Sequence, residues 1–112
     1  MKMPLSRLAH ARSGDKGDSA NIAVIAWDAA AYEFLNRHLT AECVANYFAH
    51  QIKGPVERYE APNLMALNFV LRGALGGGGT VSLRIDAQGK TLASQLMNME
   101  VECELDVPAE RA

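Results

Sequence analysis

The chain is poor in cysteine: only Cys43 and Cys103 occur among 112 residues. They have neither the CxxC spacing of a redox or metal motif nor the density of a secreted disulfide scaffold. Both are expected to be reduced and unpaired. Charge of one sign is lacking as well, since eleven Lys+Arg face thirteen Asp+Glu and leave a net charge of -2. With its basic residues scattered, the chain has no electrostatic footprint for nucleic acid. Long apolar runs are missing too. None approaches the ~20 residues a membrane span needs, and the N-terminus reaches arginines before any stretch of signal-peptide length. The expected compartment is the cytoplasm.

His10, His38 and His50 share no metal-ligand spacing, so no metal site is expected. Ser13 has no GxSxG context, and neither cysteine sits in a nucleophile setting. Gly89-Lys90-Thr91 imitates the end of a P-loop, but the motif requires glycine five residues before Gly89, where Arg84 stands. Nucleotide hydrolysis is excluded on that basis. Lys90 then belongs to a helix start on the surface, or joins Arg84 and Asp86 in a polar rim.

What is present is apolar surface: 49% of residues are hydrophobic. A chain of this length buries roughly 65% of the surface it exposes unfolded, so one domain over 1–112 can form without metal, cofactor or disulfide. Residues 5–11 show a weak strand pattern ending at the polar run Arg12-Ser13-Gly14-Asp15-Lys16-Gly17-Asp18, which has the composition of a loop. Residues 19–26 are apolar on both alternating faces, as in a central strand covered on both sides. Asp28 can cap a helix carrying Ala31, Phe34, Leu35, His38 and Leu39 on one stripe. Thr40 can cap a second, with Val44, Tyr47, Phe48 and Ile52 inward and Gly54-Pro55 as its stop, the pair spanning about 29–52.

Val56-Glu57-Arg58-Tyr59-Glu60-Ala61 has strand propensity with charge on each face, which suits an edge strand ended by Pro62. Over 63–75, strand alternation groups Met65, Leu67, Phe69 and Leu71, whereas helical period groups Leu64, Leu67, Leu71, Ala74 and Leu75. The Asn63 cap and the Gly76 stop favour the helix. Strict alternation predicts half-buried strands near 80–86 and 100–106 joined by a helix near 90–99. Residues 108–112 have the character of a frayed tail. The plan is α+β and ferredoxin-like, an antiparallel sheet with helices on one face. Ile22, Val24, Val81, Leu83, Ile85, Leu96 and Leu105 are its expected core.

Two stretches concentrate potential chemistry. Residues 12–18 hold two glycines, two cations and two carboxylates, the makings of either an anion-binding backbone nest or a solvated turn capped by Asp15 and Asp18. Gly76-Gly77-Gly78-Gly79 strips side chains from the backbone at a large ordering cost, which suits either close approach of a ligand or partner, or a flexible connection. Arg58-Tyr59 pairs two residue types enriched at interfaces on a strand that charge also protects. Asn68, inside an apolar run, needs a hydrogen-bond partner if buried.

Leu8-Ala9-His10-Ala11-Arg12-Ser13-Gly14-Asp15-Lys16-Gly17-Asp18 with Asn21-Ile22, then Arg58-Tyr59, Pro62, Leu67-Asn68-Phe69, Ala74-Leu75-Gly76-Gly77-Gly78, Ser82-Leu83-Arg84 and Gly89-Lys90, resembles the small domain of the AtuA-like family. The family is named for acyclic terpene utilisation. The likeness runs from about residue 6 to 105. It implies a ferredoxin-like module that occurs either fused to a larger AtuA-type domain or alone, of which this chain would be the stand-alone form, and a setting in bacterial catabolism of acyclic terpenes or branched acyl-CoA compounds. It brings no assigned reaction, cofactor or catalytic residue.

Three readings follow. In the first, the chain is a companion subunit of a larger AtuA-like protein, with residues 12–18 and 76–79 at the junction. In the second, it is a self-sufficient small enzyme or acyl-CoA-binding protein in which Arg12, Lys16, Arg84 and Lys90 hold an anion and Asp15 or Asp18 handles protons. In the third, it is a structural assembly module. The expected anion-accepting surface comprises Arg12, Ser13, Gly14, Lys16, Gly17, Gly76, Gly77, Gly78, Arg84 and Lys90. The expected association surface, toward a second copy or a larger chain, includes Arg58 and Tyr59.

Overall fold

The computed structural model describes residues 1–16, 19–49, 52, 54–72 and 92–105, with the side chains of Asp15 and Lys16 outside that description. From the N-terminus, β1 (Lys2–Pro4) and a 3-10 turn at Leu5–Arg7 lead into β2 (Ala9–Lys16) and β3 (Ser19–Ala26). Next come α1 (Ala29–His38), α2 (Ala41–Tyr47) and β4 (Val56–Ala61). A 3-10 turn at Pro62–Leu64 precedes β5 (Ala66–Leu71), and α3 (Leu92–Met97) and β6 (Glu100–Glu102) complete the described elements.

Four strands form an antiparallel sheet in the order β2-β3-β5-β4. Because β3 and β4 both run antiparallel to β5, they are parallel to each other, and α1 and α2 make the crossover between them. This is a split βαβ unit, the signature of the α+β ferredoxin-like plan. All three described helices pack on one face of the sheet. No described helix is long and apolar enough to cross a membrane.

The helix starts follow from the expected caps. Asp28 Oδ1 accepts from the Ala31 amide at 2.8 Å and Thr40 Oγ1 from the Cys43 amide at 3.0 Å, satisfying N–H groups that a first helical turn leaves unpaired. Below the helices lie Ile22, Val24, Leu67, Phe69 and Leu71, met by Leu35, Val44, Phe48 and Leu96, all essentially buried. Leu105 packs half-buried against this core. Val81, Leu83 and Ile85, with the expected strand at 80–86, are outside the described residues. Both cysteines are free, as expected.

Four expectations are corrected. Residues 12–16 are strand, not loop: every residue from Ala9 to Lys16 pairs with one from Ala26 back to Ser19. Ladder hydrogen bonds use the backbone alone, so an exposed strand tolerates the polar side chains that local composition assigns to a loop. Residues 66–71 are strand, not helix, and the Asn63 cap position falls inside a 3-10 turn ended by Met65 in the left-handed region, with φ of 51°. Here tertiary pairing with both β3 and β4 overrides a marginal helical period. β3 is covered by helices on one side rather than two. Finally, the expected strand at 100–106 is only the short β6, which leaves the main sheet and pairs with β1. Lys2-Met3-Pro4 carries no strand signal of its own because it is too short to show a period, although Met3 is buried.

A candidate docking face on the open side of the sheet

Side chains alternate along a strand, so neighbouring residues of the motifs part company. On the helix side, one row across the sheet reads Ser13, Ile22, Phe69, Arg58. The adjacent row reads Arg12, Ala23, Asn68, Tyr59, and the one beyond Ser13 reads Gly14, Asn21, Val70, Glu57. These two rows occupy the face on which no described helix packs. Arg12 and Asn21 are exposed there, and Tyr59 is 53% exposed.

The residues of the open face are tied to one another. Asn21 Nδ2 donates to Asn68 Oδ1 at 3.2 Å across β3 and β5, which gives the half-buried Asn68 the partner it needs. Gly14 makes room for this, because a Cβ there would stand 3.2 Å from Asn21 Oδ1. At the β4 edge the Tyr59 hydroxyl donates to Glu57 Oε1 at 2.8 Å, and Arg72 reaches the same oxygen at 3.1 Å. The Arg72 and Tyr59 bonds hold the Glu57 carboxyl below its ordinary range, and the carboxylate in turn pushes the Tyr59 phenol up.

Arg58 plays a different part from its neighbour. Its guanidinium donates to the Asn36 and Leu39 carbonyls at 3.2 and 3.5 Å, at the C-terminal end of α1, and pairs with Glu60 at 3.0 Å. With 19% of its side chain exposed, it satisfies carbonyls that a helix end leaves orphaned. The structure therefore brings Arg12, Gly14 and Tyr59 to one face and puts Ser13 and Arg58 on the other. Lys16 pairs with Ser19 at the hairpin end. Gly17, Asp18, Gly76, Gly77, Gly78, Arg84 and Lys90 are outside the described residues. Leu71 lies in the row of Asp15 and Ala20, so the chain heads toward the glycine run from the hairpin end of the sheet.

Two features went unassigned in the sequence. Asn21 belonged to the recognised motif but was given no role, because its importance depends on a partner 47 positions away. Trp27, 43% exposed, stacks on His10 with ring centroids 4.6 Å apart and donates from its indole to the Ser6 carbonyl. These rings border an open groove of about 400 Å³ between β2 and α3. Burial pushes the Cys43 thiol up, the wrong direction for a nucleophile. Among the described residues, no group of three or more His, Cys, Asp or Glu could hold a metal ion.

A family model described as the AtuA ferredoxin-like domain matches residues 3–102. No curated protein and no solved structure matches the chain. The matched span takes in every strand of the four-stranded sheet and all three helices, and on that match the chain belongs to the AtuA ferredoxin-like domain family.

Proposed function

We propose that this protein is a small companion subunit of a larger AtuA-type chain, and that it docks through the open face of its sheet. One observation carries the reading. Arg12, Gly14, Asn21, Asn68 and Tyr59, drawn from three separate motifs, fall together on the face on which no described helix packs. The residues between them build the core or serve the helix side. The proposed setting is cytoplasmic catabolism of acyclic terpene or branched acyl-CoA compounds, with the reacting groups supplied mainly by the larger chain.

The size of the face favours a larger partner over a second copy. Four strands about 4.8 Å apart and some 20 Å long offer roughly 300 Å². Two copies laid face to face would bury about 600 Å² there, half of what a stable interface needs. A larger chain can reach past the sheet edges and add contact that a flat copy cannot.

Sedimentation of the protein alone and mixed with the larger AtuA-type chain of the same organism tests the reading. The expected result is a weakly associating or monomeric protein alone and a stable complex in the mixture. Ala23→Arg, which places a long charged side chain in the middle of the face, should abolish the complex while leaving the fold intact. A wild-type protein that ignores the larger chain, or an Ala23→Arg variant that binds it unchanged, would overturn the proposal.

A further inference from the structure

Among the described residues, the open face carries donors that no acceptor meets. The Arg12 guanidinium carries five N–H donors and makes no hydrogen bond or ion pair with any described residue. Asn21 spends one N–H on Asn68 Oδ1, so the Asn68 carbonyl is engaged while its own NH2 remains to donate. The carboxylate of this face, Glu57, is already held by Arg72 and Tyr59 on the neighbouring row. Arg12 therefore has no anion within the described part of the chain to satisfy it.

The placement of these donors is specific. Arg12 and Asn68 flank Ala23 in one row, about 10 Å apart across two strand spacings. The methyl group of Ala23 is a low floor between them, and Tyr59 stands beyond Asn68 as a wall. A planar, two-oxygen anion fits that space, because guanidinium meets carboxylate in a parallel two-bond geometry. We propose that Arg12 and Asn68 together receive a carboxylate side chain of the larger partner, seated over Ala23. This rests on the docking reading above and names the chemistry of its central contact.

Binding of the larger AtuA-type chain, measured by titration calorimetry at low and high salt, tests it with four variants. Arg12→Gln should weaken binding by about ten- to a hundredfold, the loss expected of a charge-assisted pair. It should also flatten the salt dependence that the wild-type complex shows. Arg12→Lys, which keeps the charge and loses the fork, should restore only part of the affinity, and Asn68→Ala should weaken binding severalfold. Thermal melts check that each variant folds, which exposure of Arg12 on an outer strand makes easy to satisfy.

If Arg12→Gln and Asn68→Ala bind as wild type while Ala23→Arg does not bind, the face docks but recognises no carboxylate, and this inference falls alone. If Arg12→Gln weakens binding without altering the salt dependence, the ion pair is refuted as well. If Ala23→Arg also binds as wild type, the docking reading falls and the inference with it.

Discussion

The two faces of the four-stranded sheet are made from alternate residues of the same strands, and they differ in kind. On the helix side Ile22, Val24, Leu67 and Phe69 are sealed beneath three helices. On the open side Arg12, Asn68 and Tyr59 share a row with Ala23, and Asn68 is tied to Asn21 in the next row. The lesson lies in the spacing. A step of one residue moves a substitution from the part of the molecule that keeps it folded to the part available for recognition, so adjacent positions make matched controls.

Phe69 and Asn68 are the sharpest such pair. Phe69→Ala should cost about 3–5 kcal/mol in denaturant unfolding, because it removes a fully buried ring and leaves a cavity under the helices. Asn68→Ala should cost about 1 kcal/mol or less, the net worth of an amide pair near solvent, while its effect on partner binding is the larger one. If the two substitutions destabilise equally, the open face is structural and the contrast between faces is wrong.

Two glycines extend the comparison. A Cβ at Gly54 would lie 2.1 Å from the backbone carbonyl oxygen of Arg72, at the end of the sheet where the Arg72 amide donates to Pro55 O. That carbonyl cannot withdraw without moving β5, so Gly54→Ala should cost about 1–3 kcal/mol as a local overpacking. At Gly14 the neighbour is the far end of the Asn21 side chain, which can rotate away. Gly14→Ala should change stability by about 0.5 kcal/mol at most, and should loosen the Asn21 to Asn68 bond instead. Melting curves with side-chain amide NMR separate the two outcomes. A cooperative loss of fold in Gly14→Ala would show that β2 cannot accommodate even that shift.

Arg58 and Tyr59 make the same distinction within one dipeptide. Arg58→Ala should cost about 1–2 kcal/mol, since it strips charged donors from the C-terminal carbonyls of α1. Tyr59→Ala should leave stability within about 0.5 kcal/mol and weaken the complex. An Arg58→Ala variant of wild-type stability that fails to bind would reverse the assignment.

Much of the architecture was legible because local patterns determine it. Asp28 and Thr40 cap the helices as their spacing requires, and Val56–Ala61 is the charged edge strand. What failed to show depends on distant partners. Arg12-Ser13-Gly14 has a loop's composition and becomes strand because β3 pairs with it, and Leu67-Asn68-Phe69 has a helical period that two neighbouring strands override. The open face was half visible: Arg12, Gly14 and Tyr59 stand out in the sequence, but only the register shows that they share a face and that Ser13 and Arg58 do not. A linear motif does not record which side of a sheet each residue takes until the element type is known.

The smallest expected effect probes the rim of the open face. With the folded Glu57 carboxyl below its ordinary value of 4.5, its contribution to stability is fully present above that value and is lost as pH falls through the folded one. Tyr59 carries the opposite sign: with its folded value above 10.0, its contribution is present below 10.0 and is lost as pH rises through the folded one. Both involve the Glu57 carboxylate, held first by Arg72 and then by Tyr59, so Glu57→Gln should lower the melting temperature by a small, constant amount across the neutral range. The gap between variant and wild type should narrow on acidification, as the pH falls from above 4.5 through the lower folded value and the carboxylate becomes protonated in both folded and unfolded chains. It should narrow again in strong alkali. Added salt should shrink it at neutral pH, because these groups are open to solvent. A gap that stays constant throughout that acidification would mean that Glu57 acts through packing and not through its charge, and the bonds from Arg72 and Tyr59 would then add no charge-dependent stability to the open face.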